Sequence, residues 1–139
     1  MKLHYLLPLI LISSLSYATP SALQNKDVVI SPLSLQKEKR GDAEVYILTG
    51  VVKNISGYSL KNISIMINTY KDGKVADASS DTAFCVNKDE EWISKFYLQS
   101  NSKPDSYRVV TIETDVDQDD KDDLYPCRQS KIIPINKTH

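Results

Sequence analysis

The sequence predicts an all-β fold, a single antiparallel β-sandwich of about seven short strands closed by one disulfide. Three observations carry this. Apolar residues recur with a period of two, as where Ile63, Ile65 and Ile67 alternate with Asn62, Ser64 and Asn68, which turns one face of an extended segment into a core. Clusters of Gly, Asn, Asp and Ser separate such segments, and no segment keeps a helical period over three turns. The only cysteines are Cys85 and Cys127, an even count in a chain that reads as exported, which favours a bridge over free thiols.

Taken in order, the chain opens with Lys2, an apolar run from Leu3 to Leu15, and the small residues Ser16 and Ala18 flanking Tyr17. Residues 1–18 therefore read as a signal peptide cleaved after Ala18, shorter than the about 20 apolar residues of a membrane span. The mature chain, Thr19 to His139, is then 121 residues, the size of one domain. Val28 to Leu35 is a strand broken at Pro32, which suits a sheet edge. Ala43 to Lys53 is apolar on both faces and β-branched, as in a central strand; Gly50 within it suits close packing or a bulge. Asn54-Ile55-Ser56-Gly57 turns the chain into the alternating strand Ser59 to Thr69, with Asn54 and Asn62 expected to bond turn backbone and set register. Asp72-Gly73 is a hairpin signal. Further strands are expected at Val75 to Phe84, at Trp92 to Leu98 (Trp92, Ser94, Phe96 and Leu98 on one face) and at Ser106 to Thr114. In the last, Tyr107, Val109, Thr111 and Glu113 share one side, opposite Val110 and Ile112. Phe84, Trp92 and Phe96 are the expected aromatic core. Lys131 to Ile135 is a last short strand, placed at an edge by Pro134.

The chemistry available is narrow. The chain has two histidines, His4 inside the signal peptide and His139, so the commonest general base and metal ligand is nearly absent. A cysteine pair without histidine cannot complete a tetrahedral zinc site. Ser34 and Lys37 have the spacing of a Ser-Lys hydrolase motif but sit in a strand-like context, and the carboxylates of Asp89, Glu90 and Glu91 lie in a turn. No catalytic residue is assigned and the chain is read as a non-enzyme. With 17 basic and 18 acidic residues, loss of Lys2 leaves a net charge of −2, which gives no warrant for nucleic acid.

Charge is concentrated at Asp115 to Asp123, six aspartates and one lysine in nine residues. Asp115, Asp117 and Asp119 reproduce the first ligand positions of a calcium loop, with Asp120 adjacent. The pattern then fails, because the sixth position is Asp120 instead of Gly and the twelfth is Pro126 instead of Glu. A solvated acidic loop is the alternative, and calcium is the one cofactor the sequence leaves open. Asp119, Asp120, Asp122, Asp123 and Tyr125 are also candidates for meeting a basic partner surface. The loop closed by Cys85 and Cys127 spans about 43 residues, and the chain-entropy model assigns such a bridge about 4 kcal/mol. Tyr46, Tyr58, Tyr97, Tyr107 and Tyr125 are candidates for a surface patch. Asn54, Asn62 and Asn136 open glycosylation-type triplets that arise readily in a chain rich in Asn and Ser.

Gly50-Val51-Val52-Lys53-Asn54, Ser56, Leu60-Lys61-Asn62-Ile63-Ser64-Ile65, Tyr70 and Asp72-Gly73-Lys74-Val75, followed by Asp89-Glu90-Glu91-Trp92 and Phe96, resemble the FxLYD-type domain of bacterial envelope proteins. The resemblance covers residues 43–114. It departs at Lys71, where the family has Asp, and at Asn87-Lys88-Asp89, where it has Pro-Gly. It implies an immunoglobulin-like sandwich and an exported accessory module without catalytic residues. The expectation is a periplasmic or secreted binding module for a protein partner, using a sheet face, the edge Val28 to Leu35, or the acidic loop. The alternatives are an inhibitor or immunity protein that offers the acidic loop to a toxin or envelope hydrolase, and a calcium-dependent envelope component.

Overall fold

The computed structural model describes residues 21–117, 127 and 132–135, and these contain no α-helix. Eight strands form two antiparallel sheets: β1 (Leu23–Gln24), β2 (Val28–Ile30), β3 (Ser34–Arg40), β4 (Ala43–Asn54), β5 (Leu60–Lys71), β6 (Lys74–Val86), β7 (Glu91–Tyr97) and β8 (Ser106–Val116). Residues 1–18, expected to be a signal peptide, lie outside the described residues. Sheet I is centred on β4. Along one side of it run β2, opposite residues 52–54, and β3, opposite residues 43–49; along the other runs β7. Sheet II is β6-β5-β8.

The sheets share one core of Val28, Ile30, Leu48, Val52, Leu60, Ile63, Ile65, Ile67, Val86 and Phe96. Each such aliphatic or aromatic side chain contributes about 1.5–3 kcal/mol on burial. The alternation of β5 decides its inner face: Ile63, Ile65 and Ile67 are buried while Met66 is exposed. Asp72 (φ +50°) and Gly73 (φ +73°) form the expected hairpin between β5 and β6; two successive positive φ values are those of the turn whose twist matches paired strands. A second two-residue hairpin, Gly41-Asp42, joins β3 to β4 with Gly41 at φ +60°.

Several expectations are corrected. The segment Val28 to Leu35 is broken at Pro32 as expected, but its second half runs on to Arg40 as β3, and β1 covers the outer flank of β2. Asn54 to Gly57 does not join paired strands, because β4 and β5 belong to different sheets; it is a corner between layers. Asn62 lies within β5, between Phe84 and Asp115 of the neighbouring strands, and not in the turn. Phe84 is 75% exposed, since its parity in β6 is that of the outward Thr82 and opposes that of Ala83. In β8 Val110 is an extra residue opposite Met66 and Ile67. This bulge resets the alternation, so Tyr107, Val109, Ile112 and Val116 all pack on the core while Val110 is exposed. Of the expected last strand Lys131 to Ile135, residues 132–135 are described and form none.

Cys85 and Cys127 are bridged, with Cα atoms 5.0 Å apart. Cys85 sits at φ +50°, a backbone conformation uncommon for residues other than glycine. The next residue, Val86, enters the core. Cys127 is buried and donates its backbone N–H to Asp117 Oδ2 at 3.0 Å. The chain after the acidic stretch is thereby fixed at the Leu60–Val116 end of the sandwich.

Candidate functional site

The two long sides of the sandwich differ. On one, β6 faces β7, and aspartates of β6 take the N–H groups that β7 and its continuation direct away from β4. Asp81 Oδ2 accepts from Lys95 N (3.1 Å) and from Ser94 Oγ (2.6 Å), with Trp92 Nε1 at 3.4 Å. Four residues earlier on the same face, Asp77 Oδ2 accepts from the N–H groups of Gln99 and Ser100. Carboxylate acceptors make strong bonds to backbone N–H, and an edge so occupied offers fewer groups to another strand.

On the other side β3 faces β8. Two side-chain bonds join the layers here: Leu33 N donates to Tyr107 Oη at 2.9 Å and, nearer the corner, Thr114 Oγ1 donates to Asp27 Oδ2. Gly50 makes the break at Pro32 possible. A Cβ on residue 50 would meet Leu33 Cδ2 at 2.5 Å and Ser31 Oγ at 3.2 Å. Ser31 fills the interrupted ladder, its N–H donating to Val51 O and its hydroxyl accepting from Val51 N, both at 2.8 Å. A small cleft of about 180 Å³ lies between the layers, walled by Leu33, Leu35, Leu48 and Pro104 with Asp105, Ser106 and Tyr107 at its polar end.

The free edge beside this cleft belongs to β3, which among the described residues pairs only with β4. Antiparallel ladders alternate which residues bond inward. The two-residue turn makes Arg40 and Ala43 a bonded pair, so Arg40, Glu38, Gln36 and Ser34 bond to β4. Leu35, Lys37 and Lys39 then turn their N–H and C=O groups outward. Beyond Leu35 the strand is exposed, and the β3–β4 hairpin projects with Lys37 paired to Glu44. That carboxylate raises the Lys37 pKa through a hydrogen bond and its charge. At the rim of the cleft, Asp105 accepts from Asp72 N at 2.9 Å and from Ser106 Oγ at 3.0 Å. These bonds, the backbone one foremost, hold its carboxyl below the usual carboxylate range.

The expected site residues fall elsewhere. Asp115 is exposed on β8, opposite Asn62. Asp117 spends one carboxylate oxygen on Cys127 N, while its Oδ1 is buried without a hydrogen-bond partner. Asp119, Asp120, Asp122, Asp123 and Tyr125 lie outside the described residues, and among the described residues no group of three acidic, His or Cys side chains is placed to hold a metal ion. The tyrosines do not form one patch. Tyr97 lies under the Arg40 guanidinium at 4.1 Å, Tyr46 near Lys37 at 5.8 Å, Tyr58 is exposed in the corner and Tyr107 reaches into the cleft. Asn54 is fully buried in the corner. The free β3 edge had a sequence signal in Pro32. Its continuation to Arg40 was marked only by Gly41-Asp42, a two-residue hairpin turn.

Comparison of the chain with protein-family models, with curated proteins and with solved structures finds no match. No described helix is long and apolar enough to cross a membrane.

Proposed function

We propose that this protein is an exported, non-catalytic binding module of the bacterial envelope that engages a protein partner by strand addition along β3. The observation that carries the reading is the contrast between the two sides: the edge of β7 is occupied by Asp77 and Asp81, whereas β3 offers the outward N–H and C=O groups of Leu35, Lys37 and Lys39 beside an apolar cleft. Strand addition takes its affinity from main-chain bonds and its selectivity from pockets for alternate side chains, and both are available here. The scarcity of histidine and the signal-like N-terminus support the same reading, as does the likeness of residues 43–114 to FxLYD-type domains, with an immunoglobulin-like sandwich as the proposed fold type.

Position-specific photocrosslinking in cells tests it. A photoreactive residue at Lys39 should give a discrete adduct, lost with Lys37→Pro, which removes an outward N–H at an edge position that tolerates proline, and kept with Lys37→Ala. The same residue at Met66, exposed on the outer face of sheet II, should give none. Absence of an adduct from position 39, or equal adducts from both positions, would refute the proposal.

A further inference from the structure

Resting on that reading, we propose that β3 receives an antiparallel peptide strand with the pattern acidic-x-acidic-x-aliphatic. Its aliphatic side chain fills the cleft, and its two carboxylates meet Lys39 and Lys37.

The pattern follows from the face on which each receiving residue stands. Leu35, Lys37 and Lys39 turn their main-chain groups outward, and their spacing of two puts all three side chains on one face. Leu35 packs against the core, so that face is the inner one. In an antiparallel ladder, the residue directly opposite an outward-bonding residue exchanges both main-chain bonds with it and shares its face. Three alternate residues of the incoming strand are therefore read, opposite Lys39, Lys37 and Leu35 in that order. The two between them stand on the outer face beside Glu38 and Gln36, where the charges of Glu38 and Arg40 offset each other.

The residue opposite Leu35 faces the cleft of about 180 Å³ walled by Leu33, Leu35, Leu48 and Pro104. That is below the about 300–1,000 Å³ of pockets that enclose a whole small molecule, and it suits one branched aliphatic side chain. Asp105 stands at the polar end, its carboxylate accepting from Asp72 N and Ser106 Oγ. An acidic side chain here would share the cleft with that negative charge, so the anchor is apolar.

Beyond the cleft the receiving face turns basic, with Lys37 and Lys39 both exposed. Lys37 is paired with Glu44 across the hairpin, but Lys39 has no side-chain partner among the described residues. Opposite charges at directly facing positions stabilise a strand pair, and like charges destabilise it. Carboxylates therefore fit opposite both lysines, and Lys39 is the stronger determinant. Proline is excluded from the three read positions, each of which donates an N–H to β3, and is tolerated at the two between.

The test titrates the purified exported chain with capped, threonine-rich peptides and follows residue-resolved NMR shifts along β3 and the cleft. A peptide carrying Glu-Thr-Glu-Thr-Ile should bind with a Kd of about 100–1,000 µM, since so short a strand buries well under the about 1,200 Å² of a stable interface. Lys-Thr-Lys-Thr-Ile and Glu-Thr-Glu-Thr-Asp should each bind at least about fivefold more weakly. Glu-Thr-Pro-Thr-Ile should not bind, whereas Glu-Pro-Glu-Thr-Ile should. Lys39→Glu, a change at an exposed position, should reverse the preference between Glu and Lys at the first read position. Equal binding of the Glu and Lys peptides, or a preference unmoved by Lys39→Glu, would overturn the acidic pattern. Strand addition stands in that case if Lys37→Pro still abolishes binding. Binding of the Glu peptide that survives Lys37→Pro would lie off the edge and remove both. Failure of every peptide to bind, alongside a discrete cellular adduct from position 39, would overturn the pattern and leave strand addition in place. Failure of both would remove both.

Discussion

Replacing Asn54 isolates the corner that joins the two sheets. The side chain is fully buried, and its amide donates to Tyr58 O (2.7 Å), Asn87 O (3.0 Å) and Val86 O (3.1 Å), while Oδ1 accepts from Ser56 N (3.0 Å) and Ser56 Oγ (2.7 Å). In Asn54→Ala, the carbonyls of Tyr58 and Asn87 can turn to water, because those residues are exposed, and the Ser56 hydroxyl retains Tyr58 O at 3.1 Å. Val86 O is left unpaired in the core, at about 1–3 kcal/mol, and the Ser56 N–H loses a bond of about 1 kcal/mol. With the weaker remaining contacts the total is about 3–4 kcal/mol, a fall in Tm of roughly 12–25 °C for a domain of this size. Asn54→Asp should be worse at neutral pH, since a buried carboxylate would face three carbonyls. Its native pKa would lie above the unfolded value of about 3.9. Stability relative to wild type would then fall as pH rises from about 4 through the native pKa. Denaturant unfolding at pH 4 and pH 7, followed by fluorescence of the single tryptophan, Trp92, reads both effects. A cost below about 1 kcal/mol for Asn54→Ala, or an Asn54→Asp deficit independent of pH, would refute the corner's role.

Three more perturbations probe the open side and the tether. Gly50→Ala should destabilise by about 1–2 kcal/mol, because crowding against Leu33 outweighs the helpful loss of glycine flexibility; in a Leu33→Ala background the same change should cost almost nothing. Replacing both cysteines by serine should cost about 4 kcal/mol, measured by denaturant midpoint against the oxidised protein. The depressed Asp105 carboxyl contributes stability above its unfolded pKa that disappears as pH falls through its lower native value. Asp105→Asn should therefore flatten the acid limb of stability, and an NMR titration of the Asp105 side chain should place its midpoint below the ordinary carboxylate range.

The strands were legible in the sequence where one face is buried and the other wet. The β5 isoleucines and the Trp92-Ser94-Phe96-Leu98 face are examples, because period two then reports burial directly. The disulfide followed from an even cysteine count in a chain expected to be exported. Phe84 misled because hydrophobicity alone does not tell a core residue from an outward one on an edge strand, and its parity was known only once β6 paired with β5. Val110 hid a bulge, which leaves no mark on composition. Gly41-Asp42 was an available turn signal, and reading it would have extended the edge from Leu35 to Arg40. What no single sequence could reveal is that Asp77 and Asp81 occupy one edge, since each partner is more than ten residues away in the chain and in the opposite sheet.

Amide hydrogen exchange, resolved residue by residue in dilute protein, tests the asymmetry of the two sides most directly. Slow exchange is expected at Lys95 and Ser100, whose N–H groups are held by Asp81 and Asp77. Lys37 and Lys39 should exchange almost freely. Comparable protection of Lys37, Lys39 and Lys95 in dilute protein would contradict the asymmetry.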